Sequence, residues 1–401
     1  MKIVLRMKAP ATVTDASTTP VPLLDLARQN GPLEQEIRDA IDEVCRSGQF
    51  VLGPAVKQLE AAVAECSGAK HAIGCASGSD ALLLALMAID VGPGDEVIVP
   101  SFTFFATASA VARLGAKVVF VDIAPETYNL DPAAVAAAVT PATKAIIPVH
   151  LFGQCADMTS INDIAREHSL TVIEDAAQAI GAEHNGVRAG SIGEIGCFSF
   201  YPTKNLGGMG DGGMLTTNDD QLADKLQLLR GHGMRPRYFH QVVGINSRLD
   251  SIQAAVINVK MPHLERWSDQ RQENAERYTR LLNEAGLSDE IDLPVGPSEA
   301  SSGRHVWNQY TIRVPGGRRD ALRTYLSERS IGSEIYYPVP LHQQECFSSL
   351  DYGSDALSQT DRAAAEVLAL PIFPELTEGE QRTVVEAIGE FYASAATHQA
   401  A

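Results

Sequence analysis

The chain has 401 residues, 45% of them apolar and 20% charged, enough for two or three structural units with a sizeable core and incompatible with a disordered polymer. A formal charge of -18 excludes a general nucleic-acid or anionic-membrane surface, while a small anionic substrate would need only a local basic pocket. Six scattered cysteines (Cys45, Cys66, Cys75, Cys155, Cys197, Cys346) form no C-x-x-C pair; they suit thiols in a reducing cytoplasm rather than a disulfide framework or a zinc site.

Residues 1–20 contain only the apolar trio Ile3-Val4-Leu5 and read as a loose N-terminal extension, neither a signal segment nor a membrane span. No apolar run elsewhere reaches spanning length. Leu33, Ile37, Ile41 and Val44, then Val56, Leu59 and Val63, recur at helical spacing. From about residue 70, β-branched runs alternate with helical stretches. The strand runs are His71–Cys75, Glu96–Val99, Lys117–Val121, Ala145–Val149 and Leu170–Glu174. The helices between them are Ala81–Ile89, Thr107–Leu114, Pro132–Val139 and Thr159–His168, with Thr159 and Ser160 placed to cap the last. This alternation predicts a large α/β domain over residues 21–250, a mainly parallel sheet sandwiched by helices. A long helical stretch, Asp250 to Glu284, predicts a bridging helix over 251–290. A Pro/Ser/Gly-rich linker, Asp292 to Gly303, leads into a smaller C-terminal α+β domain over 291–401. There the pattern predicts a strand at Gln309–Val314, a helix at Asp320–Arg329, a second strand at Gly332–Tyr337 and two terminal helices.

The chemistry gathers where strands are expected to end, the place where open α/β sheets bind ligands. Cys75-Ala76-Ser77-Gly78-Ser79-Asp80 opens a helix with small residues, either a plain N-cap or a phosphate seat. Three aromatics crowd Ser101-Phe102-Thr103-Phe104-Phe105, as core packing or as a stacking surface for a flat ligand. Glu174 and Asp175 end an apolar strand, so one carboxylate is confined and must be paired. Metal ligation is disfavoured, because neighbouring strand residues point to opposite faces and no His/Asp cluster follows. Lys204 follows the apolar run Ile195 to Phe200 and precedes five glycines (Gly207, Gly208, Gly210, Gly212, Gly213). A lysine pinned on such irregular backbone loses proton affinity, as an imine-forming amine requires, unless it is a surface lysine in a glycine-rich turn. Ser199, five residues earlier, could hold an anion beside that amine. Arg230, Arg235, Arg237 and Arg248 form the one dense basic run, solvated or pocket-forming.

Phosphate seat, flat ring, ring-nitrogen partner and imine-forming amine together describe pyridoxal 5′-phosphate (PLP). On S-G-S-D-A-L, P-S-F-T-F-F-A-T, P-V-H-L-F-G-Q, I-E-D-A-A-Q-A, S-F-Y-P-T-K-N-L, G-D-G-G and G-I-N-S-R-L-D-S-I-Q-A-A, the stretch from about Val21 to Phe391 resembles the DegT/StrS nucleotide-sugar aminotransferases of PLP fold type I. The resemblance implies that Lys204 forms the imine with PLP and that Asp175 keeps the pyridine nitrogen protonated. It implies Gln178 on the ring hydroxyl, Phe104 and Ala177 on the two ring faces, and Gly78, Ser79 and Ser199 around the phosphate. Asn246 would reach that phosphate from the neighbouring subunit of a homodimer with shared active sites. Relatives commonly carry Thr where Ser79 stands, a swap that keeps both hydroxyl and amide.

The implied reaction is a two-stage amino transfer from L-glutamate, releasing 2-oxoglutarate and passing through pyridoxamine phosphate, to a nucleotide-linked keto sugar. The 232–250 stretch is more similar to members acting on 3-keto than on 4-keto sugars, and Arg248, Tyr336 and Tyr337 match positions that could contact the acceptor. His150 and His342 also match family positions, without an assigned role. Two rival readings are a PLP-dependent sugar dehydratase, which typically lacks the lysine, and a non-catalytic PLP or sugar-nucleotide binding protein on the same scaffold.

Overall fold

The alternating runs build one seven-stranded sheet whose two faces are separated by the strands' own two-residue period. The computed structural model describes residues 20–296, 303–353 and 356–399, so the expected N-terminal extension, except Pro20, lies outside the described residues, as does part of the 292–303 linker. Helices α1 (Leu26–Asn30), α2 (Glu34–Ser47) and α3 (Pro54–Ser67) come first. There follow β1 (His71–Cys75), α4 (Gly78–Ala88), β2 (Glu96–Pro100), α5 (Ala106–Arg113), β3 (Lys117–Val121), α6 (Pro132–Ala138), β4 (Thr143–Ile146), α7 (Met158–His168) and β5 (Thr171–Asp175). A hairpin of β6 (Glu183–His184) and β7 (Val187–Arg188) leads to β8 (Ile195–Ser199), β9 (Gly213–Thr217) and α8 (Asp220–Leu229).

The strand order is β1-β9-β8-β5-β4-β2-β3. Strands β8, β5, β4, β2 and β3 run parallel in succession, and β9 lies antiparallel between β8 and β1. Val97 and Val99 face one apolar layer with α4 and α5, while Ile98 faces the other with α6 and α7 residues such as Val135 and Ile161. This is the α/β sandwich expected, and a side-chain period of two explains why each strand serves both layers.

Beyond the sheet, α9 (Ser251–Lys260) and α10 (Leu264–Glu284) are joined by a 3-10 turn at Met261–His263, so the long helical stretch is two helices. Pro262 cannot donate to an α-helical ladder, which accounts for the break. Helices α2 and α3 lie against α9. The C-terminal part contains β10 (Gly303–Arg304), which joins the β6–β7 hairpin, then β11 (Tyr310–Arg313), α11 (Arg319–Glu328), α12 (Ser358–Glu366), β12 (Val367–Leu370) and α13 (Glu378–Gln399). Its core, with Tyr310, Leu322, Leu368 and Ile388, continues into Phe102, Tyr128 and Phe152 of the sheet layer. Phe347 packs against Phe120 and Phe105 with centroids 5.3 and 5.8 Å apart.

Two local expectations need correction. Residue Asp157, not Thr159 or Ser160, caps α7: its carboxylate accepts from the Ser160 N–H at 3.2 Å. The partner of β11 is β12, whereas Gly332–Tyr337 forms no strand and holds a single bridge, Glu334 with Ala369, just after that of Ile331 with Val21.

Candidate active site

The turn after β1 begins with Ser77 as N-cap of α4, its hydroxyl accepting from the Asp80 N–H at 3.1 Å. The next two N–H groups, of Gly78 and Ser79, have no acceptor among the described residues, as expected for the first turn of a helix. Ser199, at the end of β8, closes on them: a Cβ built at Gly78 would lie 2.7 Å from the Ser199 Cβ. Behind the turn, a Cβ at Gly213 would lie 2.4 Å from the Ser77 carbonyl carbon, so β9 can pass only as bare backbone. Ser199 Oγ accepts from the Tyr201 N–H at 3.3 Å and keeps its own proton to donate. Two free backbone donors at a helix start and one hydroxyl form an anion seat.

Strand β5 ends in two carboxylates with opposite fates. Glu174 is fully buried and saturated: Oε1 accepts from the N–H groups of Ile192 and Gly193 at 2.8 and 2.7 Å, and Oε2 from Gly190 N–H and His150 Nε2 at 2.8 and 2.9 Å. It fastens the 190–193 loop. His150 takes the Ala156 N–H on Nδ1 at 3.2 Å, which fixes its proton on Nε2 toward Glu174. Asp175 turns the other way, toward Lys204. Its Oδ2 accepts from Thr107 Oγ1 at 2.7 Å and its Oδ1 from the Ala177 N–H at 3.3 Å. Burial pushes its pKa above the usual value, against the pull of those two donors, Lys204 and His150. A buried carboxylate with two donors and no bonded cation still has room for one. Among the described residues no group of His, Cys, Asp and Glu could hold a metal.

Lys204 sits in the turn between β8 and β9, its N–H donating to the Tyr201 carbonyl at 2.9 Å. The side chain is half-buried, and its Nζ makes no hydrogen bond or ion pair among the described residues. Crowding by protein lowers its pKa from 10.5 to about 8, with Asp175 opposing the shift. Next to it, Asn205 is buried and tied to the C-terminal part through Val306 O and Asn308, both at 2.8 Å.

The side wall is aromatic. Gln178 Oε1 accepts from the Phe152 N–H at 2.7 Å and Nε2 donates to the Tyr337 hydroxyl at 3.2 Å, leaving one amide N–H unspent. Phe104 is 58% exposed, its ring 6.3 Å from that of Tyr337. Tyr336 packs edge-on to Tyr337 at 5.9 Å, and Ala177 is half-buried beside Asp175. Thus Asp175 and Lys204, Gly78 and Ser199, and Gln178, Phe104 and Tyr337 are brought together. Asn246 and Arg248 are not hydrogen-bonded to them. Asn246 is exposed at a bridge with Gly231, and Arg248 has no hydrogen-bond or ion-pair partner among the described residues. Between them Ser247 accepts from the Ala76 N–H at 3.1 Å, next to the anion seat.

The basic run does not form one pocket. Arg230 is buried against Glu60 and Gly74 O, both at 2.6 Å, Arg235 pairs with Asp224 at 2.7 Å, and Arg237 lies 4.9 Å over Tyr238. Thr107 is the site residue the sequence did not announce; within an amphipathic helix it looks like core, and only its distance from Asp175 reveals it. Seat, carboxylate, amine and exposed ring fit PLP: the free N–H donors match a phosphate, and Asp175 matches a protonated ring nitrogen.

The sequence profile of the DegT/DnrJ/EryC1/StrS aminotransferase family matches residues 32–389. A protein of Geobacillus stearothermophilus named "Pleiotropic regulatory protein" is 56% identical over 372 residues, 93% of this chain and 98% of the relative. The UDP-N-acetyl-3-dehydro-alpha-D-glucosamine 3-aminotransferase of Acidithiobacillus ferrooxidans is 48% identical over 90% of this chain and 95% of its own. The crystal structure of DesV from S. venezuelae, in complex with a ketimine intermediate, superposes with a TM-score of 0.88 at 41% identity, covering 93% of this chain and 99% of that one.

Proposed function

This chain belongs to the DegT/DnrJ/EryC1/StrS aminotransferase family, and on that premise we propose that it moves an amino group from L-glutamate to a nucleotide-linked 3-keto sugar in amino-sugar biosynthesis. It is a PLP-dependent aminotransferase acting on nucleotide sugars. The 3-keto preference is supported by the names of its relatives, among them the 3-aminotransferase of Acidithiobacillus ferrooxidans. The observation that carries the reading is the half-buried amine of Lys204, without a partner among the described residues and with its pKa lowered to about 8 beside a buried carboxylate.

PLP, when bound, supplies an aldehyde carbon and a ring that withdraws electrons from the reacting carbon. In this reading the protein does the rest. Lys204 would hold the aldehyde through Nζ and would carry a proton at that atom, its lowered pKa leaving about a tenth of the amine unprotonated at pH 7. Asp175, oriented by Thr107, keeps a proton on the ring nitrogen. The N–H groups of Gly78 and Ser79 and the Ser199 hydroxyl hold the phosphate, with Asn246 of the partner subunit. Gln178 turns its unspent N–H to the ring hydroxyl, and Phe104 and Ala177 flank the ring. Arg248, Tyr336 and Tyr337 stand for the acceptor side.

A homodimer is supported by the exposed apolar residues Tyr238, Phe239 and Val243 near Asn246. No helix of the described residues is long and apolar enough to cross a membrane; a cytoplasmic location is supported instead by the six free thiols. A regulatory, non-catalytic reading is favoured by the Geobacillus relative's name alone, and the dehydratase reading by nothing that survives the presence of Lys204. Purified holoenzyme should lose its yellow colour with glutamate and regain it with a 3-keto nucleotide sugar. Bleaching without recovery on any 3-keto sugar, but recovery on a 4-keto one, would overturn the regiochemistry; no bleaching would overturn the enzyme.

A further inference from the structure

Helix α9 ends in Lys260, a lysine that is 1% exposed and has no carboxylate against it among the described residues. Among the described residues its Nζ makes one hydrogen bond, 2.8 Å to the carbonyl of Gly207. A buried amine with a single partner is costly to fold around, and burial lowers its pKa to about 8. What it grips is the turn that carries Lys204. That turn is closed on itself: Gly208 N–H returns to Phe200 O at 2.8 Å, and a Cβ at Gly207 would strike Pro202 O at 2.3 Å.

Gln253 lies seven residues before Lys260, two helical turns along the same face of α9. Its Oε1 accepts from the Met209 N–H at 2.8 Å and its Nε2 donates to the Met209 carbonyl at 3.3 Å. Cβ atoms built at Gly208 and Gly210 would each lie 2.9 Å from the Gln253 amide, and Ile257, between the two polar residues, lies 3.6 Å from the former. One helix face thus takes both backbone groups of Met209 and the carbonyl of Gly207.

We propose that Lys260 and Gln253 are positioning residues that hold the 207–209 backbone so that Lys204 Nζ stays fixed beside Asp175. This rests on the reading of Lys204 as the imine-forming residue. Among the described residues neither side chain hydrogen-bonds Gly78, Ser199, Asp175 or Lys204; they act through the turn. Lys260 is not among the groups whose charge reaches Lys204, which responds to burial and to Asp175. Loosening the turn therefore acts on Lys204 by letting water in, not by removing a charge.

The test is the pH at which Lys204 becomes half-reactive toward an amine-acylating reagent in apoprotein, read by peptide mass spectrometry, with Tm measured alongside. The wild type should show a midpoint near 8. Lys260→Met and Gln253→Ala should each raise it by about one unit, a tenfold loss of neutral amine below the midpoint. Lys260→Arg, which keeps a donor, should recover part of the shift. An unchanged midpoint with only a lowered Tm would reduce both residues to packing and overturn the proposal. Should Lys260→Met fail to fold, Gln253→Ala decides by the same criterion. Failure of the underlying reading looks different: borohydride would then fix PLP in the wild type somewhere other than Lys204.

Discussion

The Lys204 pocket and the segment from Gly231 to Arg248 use similar residue types and treat them in opposite ways. In the pocket, each buried polar group is either satisfied within the chain, as Glu174 is by four donors, or held back with a defined vacancy, as Asp175 and Gln178 are. In the segment, Tyr238, Phe239 and Val243 are 74, 68 and 90% exposed, and Arg248 is half-buried with no hydrogen-bond or ion-pair partner among the described residues. Apolar side chains that stay in water beside an unpaired cation suit a surface completed by another molecule. In our reading, the groups around the reacting amine are built by one chain, and acceptor recognition and the last phosphate contact by two.

The sharpest way to break this division is inside the pocket. Lys204→Ala should still bind PLP through the anion seat but lose about 10⁴-fold or more in turnover, measured by 2-oxoglutarate release. Activity near that of the wild type would contradict the assignment. Asp175→Asn removes the charge facing the ring nitrogen and should cost about 10²–10³-fold in kcat with the cofactor still bound. On the segment, Phe239→Asp should shift the protein toward monomer in analytical ultracentrifugation and lower PLP affinity with it; a monomer retaining full affinity would remove the partner's Asn246 from the site. Arg248→Ala should raise KM for the nucleotide sugar about ten- to a hundredfold and leave the glutamate half-reaction alone, since a lost charge-assisted hydrogen bond is worth about 1.5–3 kcal/mol. The smallest effect is expected from Thr107→Val, which strips one donor from Asp175 and pushes its carboxyl further up. PLP affinity should fall by a few-fold to about tenfold, more steeply at low pH, where Asp175 then protonates first.

Much of this was legible in the sequence, for reasons that can be named. Strands β1 and β3 stand where their β-branched runs predict, because a buried strand needs little beyond its own pattern. Strand β12 was hidden: Val367–Leu370 follows Ala363-Ala364-Ala365-Glu366, and a four-residue apolar run after helix formers has no period of its own. Gly332–Tyr337 looked like a strand by composition, but its neighbours meet it only one residue at a time. Thr159 and Ser160 are good capping residues standing too late; the helix has already begun at Met158, and Asp157 accepts from the Ser160 N–H. Within the proposed site, motifs singled out Lys204, Asp175 and Ser199 by type and order. Thr107, Gln253 and Lys260 act through distances that only folding creates, and a lysine or glutamine on a helix ordinarily reads as solvated.

The central claim is that the amine of residue 204 is the group that joins PLP. Reconstituting the protein with PLP, reducing it with borohydride and mapping the modified peptide tests this most directly. The account predicts a single pyridoxyl mark on Lys204, abolished in Lys204→Ala; a mark on another lysine, or none in protein that has bound the cofactor, would contradict it.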